Sequence, residues 1–264
     1  MTTEKNVPLR MEFSVVVPGT PEQVWDAIAT ADGITSWFMR TDVEEHEGGA
    51  IVVHMGETDS PGTITGWEPP RRLEYAEPEW GALAGHDVDS VTPLVSEFLV
   101  EAQSGGTCVV RVVSSAFGTG ADWEGEFFAD MEKYWVPFFD HLRLYLTHFP
   151  GQRATTLEAG ADLPGSPDAV LSAMRQALGA GEVGQPVETR GVKGQVEKID
   201  DIELLVRLTD PVPGMLAFFA MPKSDSVVMA SIQGYLFSDD APGFVEREQP
   251  AWKAWLESLP IPAA

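Results

Sequence analysis

Short runs of alternating apolar and polar residues, separated by turn signals, dominate the first half of the chain. Alternation with a period of two is typical of strands that bury one face, and steps of three and four residues indicate amphipathic helices. The pattern predicts strands at residues 11–17, 40–47, 50–55, 62–68, 72–77, 91–101 and 107–115, and short helices at 21–30 and 34–38. Glycine-rich or proline pairs separate several of these strands, so we predict an antiparallel meander.

A longer helical pattern closes the first half, over residues 123–149. Its main apolar face, with steps of three and four, consists of Phe127, Met131, Tyr134, Phe138, Leu142, Tyr145 and Phe149. We expect this face to cover the concave side of the sheet. Pro137 lies inside the helix and should kink it, because proline removes one backbone hydrogen bond and clashes with the preceding turn.

The same order of motifs recurs in the second half. Pro18-Gly19-Thr20-Pro21 returns as Pro164-Gly165-Ser166-Pro167, each with a hydroxyl residue at the N-cap and proline at the first helical position. Three further echoes follow in order: 62–67 with 194–199, 98–113 with 216–236, and 123–149 with a shorter aromatic helix from about 249 to 259. This order predicts a duplicated domain; two unrelated α+β halves are the alternative.

The domain boundary is predicted at Pro150-Gly151, a helix-ending pair. It gives domains at residues 1–150 and 151–264. The second domain has fewer residues between its first helix and the strand at Gly194, so we expect it to be smaller and to lack part of a hairpin. The first domain has eight basic and 25 acidic residues, a net charge of −17.

The charge and the cysteine content narrow the possible partners. Lys and Arg total 17 against 41 Asp and Glu, and the formal net charge of −24 argues against nucleic acid or an anionic membrane surface as the main partner. Cys108 stands alone, which excludes an internal disulfide and a multi-thiolate zinc site. No signal peptide or apolar run of about 18 residues is present, so we expect a soluble cytoplasmic protein.

Candidate ligand-binding residues are the aromatic, methionine and histidine side chains expected around the interior of the first domain. They are Trp37, Phe38, His54, Met55, Trp80, Phe98, Trp123, Phe127, Met131, Tyr134, Trp135 and Phe138. For each of the apolar ones, a place in a packed core is the alternative. His54 shares a strand face with Val52 and could project into the cavity as a proton shuttle or an orienting group; a hydrogen-bonded surface histidine is the alternative.

Other patterns in the chain carry no catalytic signature. His46 and His86 stand among acidic residues without the spacing of a metal site. Ser114 lacks the glycine elbow of a nucleophilic serine, and the glycines at 179–184 follow a helix rather than a strand, which excludes a dinucleotide loop. We therefore predict no catalytic residue, no metal and no cofactor.

Acidic residues crowd the first turns of the long helix: Asp122, Glu124, Glu126, Asp130 and Glu132. Negative charge at a helix N-terminus interacts favourably with the helix dipole, so a solvated acidic face is one interpretation. A lip that attracts a basic partner or ligand is the other.

A strand, two short helices, a curved antiparallel sheet and a long C-terminal helix make up the helix-grip plan. The residues that carry a family resemblance are Thr20-Pro21-Glu22-Gln23-Val24-Trp25, Gly33-Ile34-Thr35-Ser36-Trp37-Phe38, Gly48-Gly49, residues 62–73 and Gly106-Thr107. They resemble the START-like (SRPBCC) superfamily, and within it the family of the C-terminal domain of the activator of heat-shock protein 90 ATPase. The resemblance covers nearly all of residues 10–149, and the second half is similar to the same superfamily more faintly.

The resemblance implies an α+β protein with two helix-grip domains, the second smaller. In such a domain a curved antiparallel sheet wraps around a C-terminal helix and leaves a deep apolar cavity between them. The chain departs from the family pattern at Tyr134-Trp135, where a small residue and glycine commonly precede the tryptophan, and at Ser114-Ser115-Ala116, where His-Ser-Gly is frequent.

Three functions remain open at this point. The first, which we favour, is non-catalytic binding of a small or medium apolar ligand in the cavity of the first domain. The second is a chaperone-accessory or other protein-interaction role with a basic partner. The third is a polyketide cyclase- or aromatase-like enzyme, with His54, Tyr75 and Tyr134 as the first candidates to move protons.

Overall fold

The computed structural model describes residues 7–56, 58–88, 91–224 and 226–261. The chain divides into two compact units, Met1–Arg153 and Ala154–Ala264, each with its own sheet. None of the helices in these described ranges is both long and apolar enough to cross a membrane.

The first unit has, over its described residues, a seven-stranded antiparallel sheet in the order β1-β7-β6-β5-β4-β3-β2. Its strands are β1 (Val7–Pro18), β2 (Thr41–Val43), β3 (Ala50–Met55), β4 (Thr58–Glu68), β5 (Arg72–Glu77), β6 (Leu94–Gln103) and β7 (Thr107–Gly118). Its helices are α1 (Pro21–Ala29), α2 (Ala31–Thr35), α3 (Trp80–Leu83), α4 (Asp122–Tyr134) and α5 (Phe138–His148). The short helix α3 is an element that the sequence pattern did not predict.

Strict alternation along the strands gives the sheet one apolar face. In β7 the buried side chains are every second residue: Cys108, Val110, Val112, Ser114 and Ala116. This is the face against which the helices of the unit pack, because side chains that alternate along a strand must be covered on one side of the sheet only. The cavity described below lies on this concave face.

The long helix predicted at residues 123–149 is in fact two helices, and the prediction of a single kinked helix was wrong. The first, α4, ends at Tyr134, and α5 begins at Phe138. Pro137 is the N-cap of α5 and has no N–H to donate, so the helical hydrogen-bond ladder stops there. The break places Trp135 and Val136 in a connection between the helices.

The second unit repeats this plan with a smaller sheet. Over the described residues it has six antiparallel strands in the order β8-β13-β12-β11-β10-β9. They are β8 (Thr155–Pro164), β9 (Pro186–Thr189), β10 (Val192–Ile199), β11 (Glu203–Asp210), β12 (Gly214–Ser224) and β13 (Val227–Leu236), with helices α6 (Pro167–Leu178) and α7 (Ala241–Glu257). The order matches the first sheet when β2 is left out, so the predicted α+β class with two helix-grip units, the second smaller, is confirmed.

The closing helix of the second unit is longer than predicted. It was expected from about residue 249 to 259, but α7 runs over 17 residues from Ala241 and contains Pro250 in its interior. Proline is favoured at the first position of a helix, so Pro250 suggested that the helix begins near residue 249. In the structure Pro250 lies inside α7. The ring centroids of Trp252 and Trp255 lie 5.4 Å apart, and each lies 5.9 Å from the ring centroid of Phe218 in β12.

Candidate functional site

The first unit contains an interior cavity of about 60 Å³ between the concave face of its sheet and its helices. Apolar side chains form most of its wall. They come from the start of the sheet (Met11, Phe13), from α1, α2 and the residues after them (Ile28, Ile34, Trp37, Phe38), from β3 (Ile51, Val53), and from α4, α5 and the break between them (Met131, Trp135, Phe139). Phe98 and Val112 complete the apolar part of the sheet wall.

Aromatic rings in mutual contact form one side of the cavity. Trp37 lies 5.3 Å from Phe139, and Phe38 lies 5.8 Å from Trp135, measured between ring centroids. The indole nitrogen of Trp37 donates a hydrogen bond to the carbonyl of Ala27 at 2.8 Å, which fixes the ring. Trp135 lies between α4 and α5 and completes this side of the cavity. One of the largest side chains of the wall is therefore carried by a connection rather than by a regular helix.

The sheet wall carries a row of three hydroxyl groups. Tyr75, Ser96 and Ser114 are direct register partners on the neighbouring strands β5, β6 and β7. The Ser96 and Ser114 hydroxyls lie 2.9 Å apart, and Ser96 also hydrogen-bonds Tyr75. Burial raises the pKa of the Tyr75 hydroxyl, so this group remains a neutral donor. The row places polar groups on one side of an otherwise apolar cavity.

A buried carboxyl group lies beside the end of this hydroxyl row. Glu77 is two residues after Tyr75 on the same face of β5 and is 4% exposed. Its Oε1 accepts a hydrogen bond of 2.5 Å from the Ser60 hydroxyl. Burial raises the pKa of Glu77 to about 7, although the Ser60 hydrogen bond acts in the opposite direction. Glu77 is therefore poised to change its charge near neutral pH.

His54 is not in the cavity, contrary to the prediction. Ile51 and Val53 of β3 face inward, so the alternation of the strand turns His54 to the outer face. Its Nδ1 lies 2.7 Å from Asp59 and its Nε2 lies 2.9 Å from Asp42. Hydrogen bonds to Asp42 and Asp59 raise the pKa of His54, which is the behaviour of a surface histidine held between two carboxylates.

Three further predicted cavity residues, Trp80, Trp123 and Phe127, pack together in the core beside the cavity. Trp80 is fully buried, with its ring 4.9 Å from Phe127 and 5.5 Å from Trp123, and its indole nitrogen donates to the carbonyl of Thr92. None of the three lines the cavity, because Trp123 and Phe127 of α4 pack against Trp80 of α3 instead. Met131 belongs to this cluster and lines the cavity as well.

Of the remaining predicted residues, some line the cavity and others do not. Trp37, Phe38, Phe98, Met131 and Trp135 line the cavity. Met55, Tyr134 and Phe138 do not. The break at Pro137 rotates the helix face, so that Phe139 reaches the cavity and Phe138 packs against Phe38 and His141 instead.

Comparison with known families adds to this geometry. The family model described as "Activator of Hsp90 ATPase homolog 1-like protein" matches residues 18–147. The first unit of the chain is similar to this family over that range. The match extends from the turn before α1 almost to the end of α5 and so includes most of the cavity wall.

Several solved structures are similar to this chain. The di-domain ARO/CYC BexL from the BE-7585A biosynthetic pathway is 13% identical, with a TM-score of 0.45, over 94% of this chain and 95% of that one. The Aha1 dimer from Colwellia psychrerythraea is 19% identical, with a TM-score of 0.43, over 52% and 96%. Protein MLL2253 from Mesorhizobium loti is 17% identical, with a TM-score of 0.45, over 53% and 98%. No curated protein matches the chain.

The polar residues in and beside the cavity are largely ones that the sequence analysis did not select. Ser114 was considered only as a nucleophile, and neither Ser96 nor Glu77 was considered for any role. The signal was the period of two in β5, where Leu73, Tyr75 and Glu77 must share a face. Because Leu73 is an apolar residue expected in the core, the same alternation places Glu77 on the inner face of the sheet.

Proposed function

We propose that the first unit binds a small apolar ligand in the cavity between its sheet and the helices α4 and α5, without changing it chemically. The observation that carries this proposal is an interior cavity with apolar walls and a hydroxyl row on one side. Burial of apolar surface supplies affinity at about 25 cal/mol per Å². The hydroxyl groups of Tyr75, Ser96 and Ser114 orient the polar end of the ligand.

The size of the cavity limits which ligands enter without a change of the wall. An apolar cavity of about 150 Å³ in another protein is known to take up benzene. The present 60 Å³ is smaller, so a ring-sized ligand requires part of the wall to move. The helix break supports movement at Trp135, because this residue lies at the end of α4 and the hydrogen-bond ladder is interrupted at Pro137.

A cavity-filling variant tests the binding proposal. Val112 lines the cavity, whereas Val113, the next residue of β7, points to the opposite face of the sheet. We expect Val112→Phe to weaken binding of toluene at least tenfold and Val113→Phe to leave it unchanged, with binding followed by NMR chemical-shift titration. Absence of toluene binding to the folded wild-type protein, or equal effects of the two variants, contradicts the proposal.

A protein-interaction role is the second candidate. The description of the family names an activator of a chaperone ATPase. Four acidic residues of α4 are exposed, namely Asp122, Glu126, Asp130 and Glu132, and such a surface can attract a basic partner. Stimulation of purified heat-shock protein 90 ATPase by the wild-type protein, lost in the Glu126→Lys/Asp130→Lys variant, would favour this role. No stimulation at physiological salt argues against it.

The cyclase-like alternative is weakened by the positions of its three candidate residues. Tyr75 lines the cavity, whereas His54 lies on the outer face of the sheet and Tyr134 does not contribute to the wall. A catalytic role would therefore depend on Tyr75 together with a group such as Glu77. For this reason we keep the non-catalytic role as the proposed function.

A further inference from the structure

Glu77 is a buried acid that forms no ion pair within the part of the chain that the structure describes. Its one hydrogen bond among the described residues comes from the neutral hydroxyl of Ser60, and no Lys, Arg or His of the described chain forms an ion pair with it. A carboxylate in such a place is costly, because burial removes its hydration and no ion pair among the described residues compensates the loss. The interior of the first unit therefore holds an acid that none of its described side chains neutralises.

The position of Glu77 connects it to the cavity. Ser60, its hydrogen-bond partner, is the register partner of Val53, which lines the cavity. Gly62 lies between Glu77 and Ile51, another lining residue: a β-carbon placed on Gly62 would lie 3.3 Å from Cγ of Glu77 and 3.1 Å from Cγ2 of Ile51. Glu77 therefore lies next to lining residues, although it is not itself part of the cavity wall.

A further feature of this unit favours a cation. The 25 acidic residues against eight basic ones up to residue 150 create a negative potential that attracts positively charged ligands.

We propose that the Glu77 carboxyl group, beside the hydroxyl row of Tyr75, Ser96 and Ser114, binds the ammonium group of a small apolar amine whose hydrocarbon part fills the cavity. This inference rests on the proposed function and specifies the ligand class for the same site. The amine supplies the positive charge that Glu77 lacks, and the row offers oxygen atoms that accept its remaining hydrogen bonds.

Proton balance gives this interaction a characteristic pH dependence. Tyr75 is the titratable group that faces Glu77 from its own strand; Ser60 from β4 and Leu94, its partner in β6, carry no charge. Below a pH of about 7 the free protein holds a proton on Glu77, which must leave when an ammonium ion pairs with the carboxylate. Affinity for the amine therefore rises with pH up to about 7 and then levels off until the amine itself loses its proton.

Benzylamine and toluene form a matched pair of probes, because they share the ring and differ in the amino group. At pH 8 we expect Glu77→Gln to weaken benzylamine binding at least tenfold and to change toluene binding less than twofold. Glu101→Gln, which removes the same charge from the exposed end of β6, should leave both affinities unchanged. Between pH 6 and pH 8 the benzylamine affinity of the wild-type protein should rise, and that of Glu77→Gln should stay level.

The outcomes separate this inference from the proposed function. If the wild-type protein binds toluene and Glu77→Gln binds benzylamine as tightly as the wild type does, the amine site is overturned. The cavity then remains a binding site. A level pH profile in the wild-type protein, or equal losses in Glu77→Gln and Glu101→Gln, overturns the amine site as well. Failure of both probes to bind the folded wild-type protein overturns the proposed function and the amine site together.

Discussion

Two buried carboxyl groups of the first unit differ in protonation because they differ in hydrogen-bond donors. Glu77 receives one hydroxyl, and burial raises its pKa. Burial alone would also raise the pKa of Glu124, but backbone and side-chain hydrogen bonds lower it below the ordinary value. Thr119 donates its N–H and its hydroxyl to Oε1 of Glu124, and Gly120 donates its N–H to Oε2. Glu124 thus anchors the segment that leads from β7 into α4.

Replacing Glu124 tests this anchor. Ala121, the N-cap of α4, makes no capping hydrogen bond with its side chain, so Glu124 is the group that satisfies the backbone at this turn. We expect Glu124→Gln to lower the free energy of unfolding by about 1.5–3 kcal/mol, the usual contribution of a hydrogen bond to a charged group. Urea denaturation at pH 7 measures the loss, and Glu126→Gln, exposed on the same helix, is the control.

The same anchor should weaken in acid. Because the folded-state pKa of Glu124 is lowered, its contribution is fully present above the unfolded pKa of about 4.5 and is lost as pH falls through the folded pKa. The difference in free energy of unfolding between Glu126→Gln and Glu124→Gln should therefore shrink between pH 5 and pH 3. A difference that stays constant over this range contradicts the assignment.

His54 should produce a pH dependence of the opposite sign. Its pKa is raised by Asp42 and Asp59, so the stabilisation is present below the unfolded pKa of about 6.5 and is lost as pH rises through the folded value. We expect the stability advantage of the wild-type protein over His54→Gln to be largest near pH 6 and to decline at higher pH. Exposed His46→Gln is the control, and urea denaturation from pH 5.5 to pH 9 provides the measurement.

At the residue scale, sequence indicates which side chains share a face but not which face is inside. The period of two correctly places His54 with Val52, yet only the packing of β3 decides that Ile51 and Val53 point inward. Trp37 and Trp135 were predicted because large aromatic side chains suit apolar contact with a ligand between sheet and helix. Glu77 was missed because acidic residues are rarely buried, so hydropathy argues against the position it occupies.

At the element scale, the repeated helix start is the clearest example of local sequence determining local structure. The hydroxyl oxygen of Thr20 accepts a hydrogen bond from the N–H of Gln23, and Oε1 of Gln23 accepts one from the N–H of Thr20 at 2.9 Å. Ser166 accepts from the N–H of Ala169 at 3.3 Å in the second unit. Both helices begin at the proline that follows the capping residue, as the repeated motif predicts.

Removing either cap should have a similar cost. We expect Thr20→Ala and Ser166→Ala each to lower the free energy of unfolding by about 1 kcal/mol, because the first turn of the helix loses its side-chain acceptor. Ser172→Ala, at an exposed position inside α6, is the control and should cost nothing, since alanine is the better helix former. Urea denaturation followed by tryptophan fluorescence measures all three, and equal effects of Ser166→Ala and Ser172→Ala contradict the capping role.

Elements with local signals were predictable, and elements that depend on packing were not. The observed bounds of β3 and β5 equal the predicted ones, because turn residues flank both strands. Proline caused the errors in the helices: Pro137 separates α4 from α5 instead of bending one helix, whereas Pro250 is accommodated inside α7. Whether a helix tolerates a proline depends on the core that holds it together, and in α7 that core includes Trp252 and Trp255.

At the scale of the whole molecule, the excess of acidic residues sets the electrostatic energy. Ion pairs exist at the surface, such as Arg72 with Glu74 and Glu97, and salt weakens them. Exposed pairs contribute only about 0–1 kcal/mol each, however, and 24 negative charges remain unbalanced. Repulsion among these charges opposes the compact state, so the unbalanced charge should decide the sign of the response to salt.

Raising the NaCl concentration from 10 to 150 mM should therefore stabilise the protein at pH 7. The screening length falls from about 30 to about 8 Å over this range, and Tm should rise by roughly 2–4 °C for each kcal/mol of repulsion removed. Near pH 5 the net charge approaches zero, because the isoelectric point is close to 4.4, and the same salt step should shift Tm less. Tetramethylammonium chloride at equal ionic strength separates screening from specific sodium binding. A fall in Tm with NaCl at pH 7 would mean that the ion pairs, rather than the excess acidic charge, dominate the electrostatic energy.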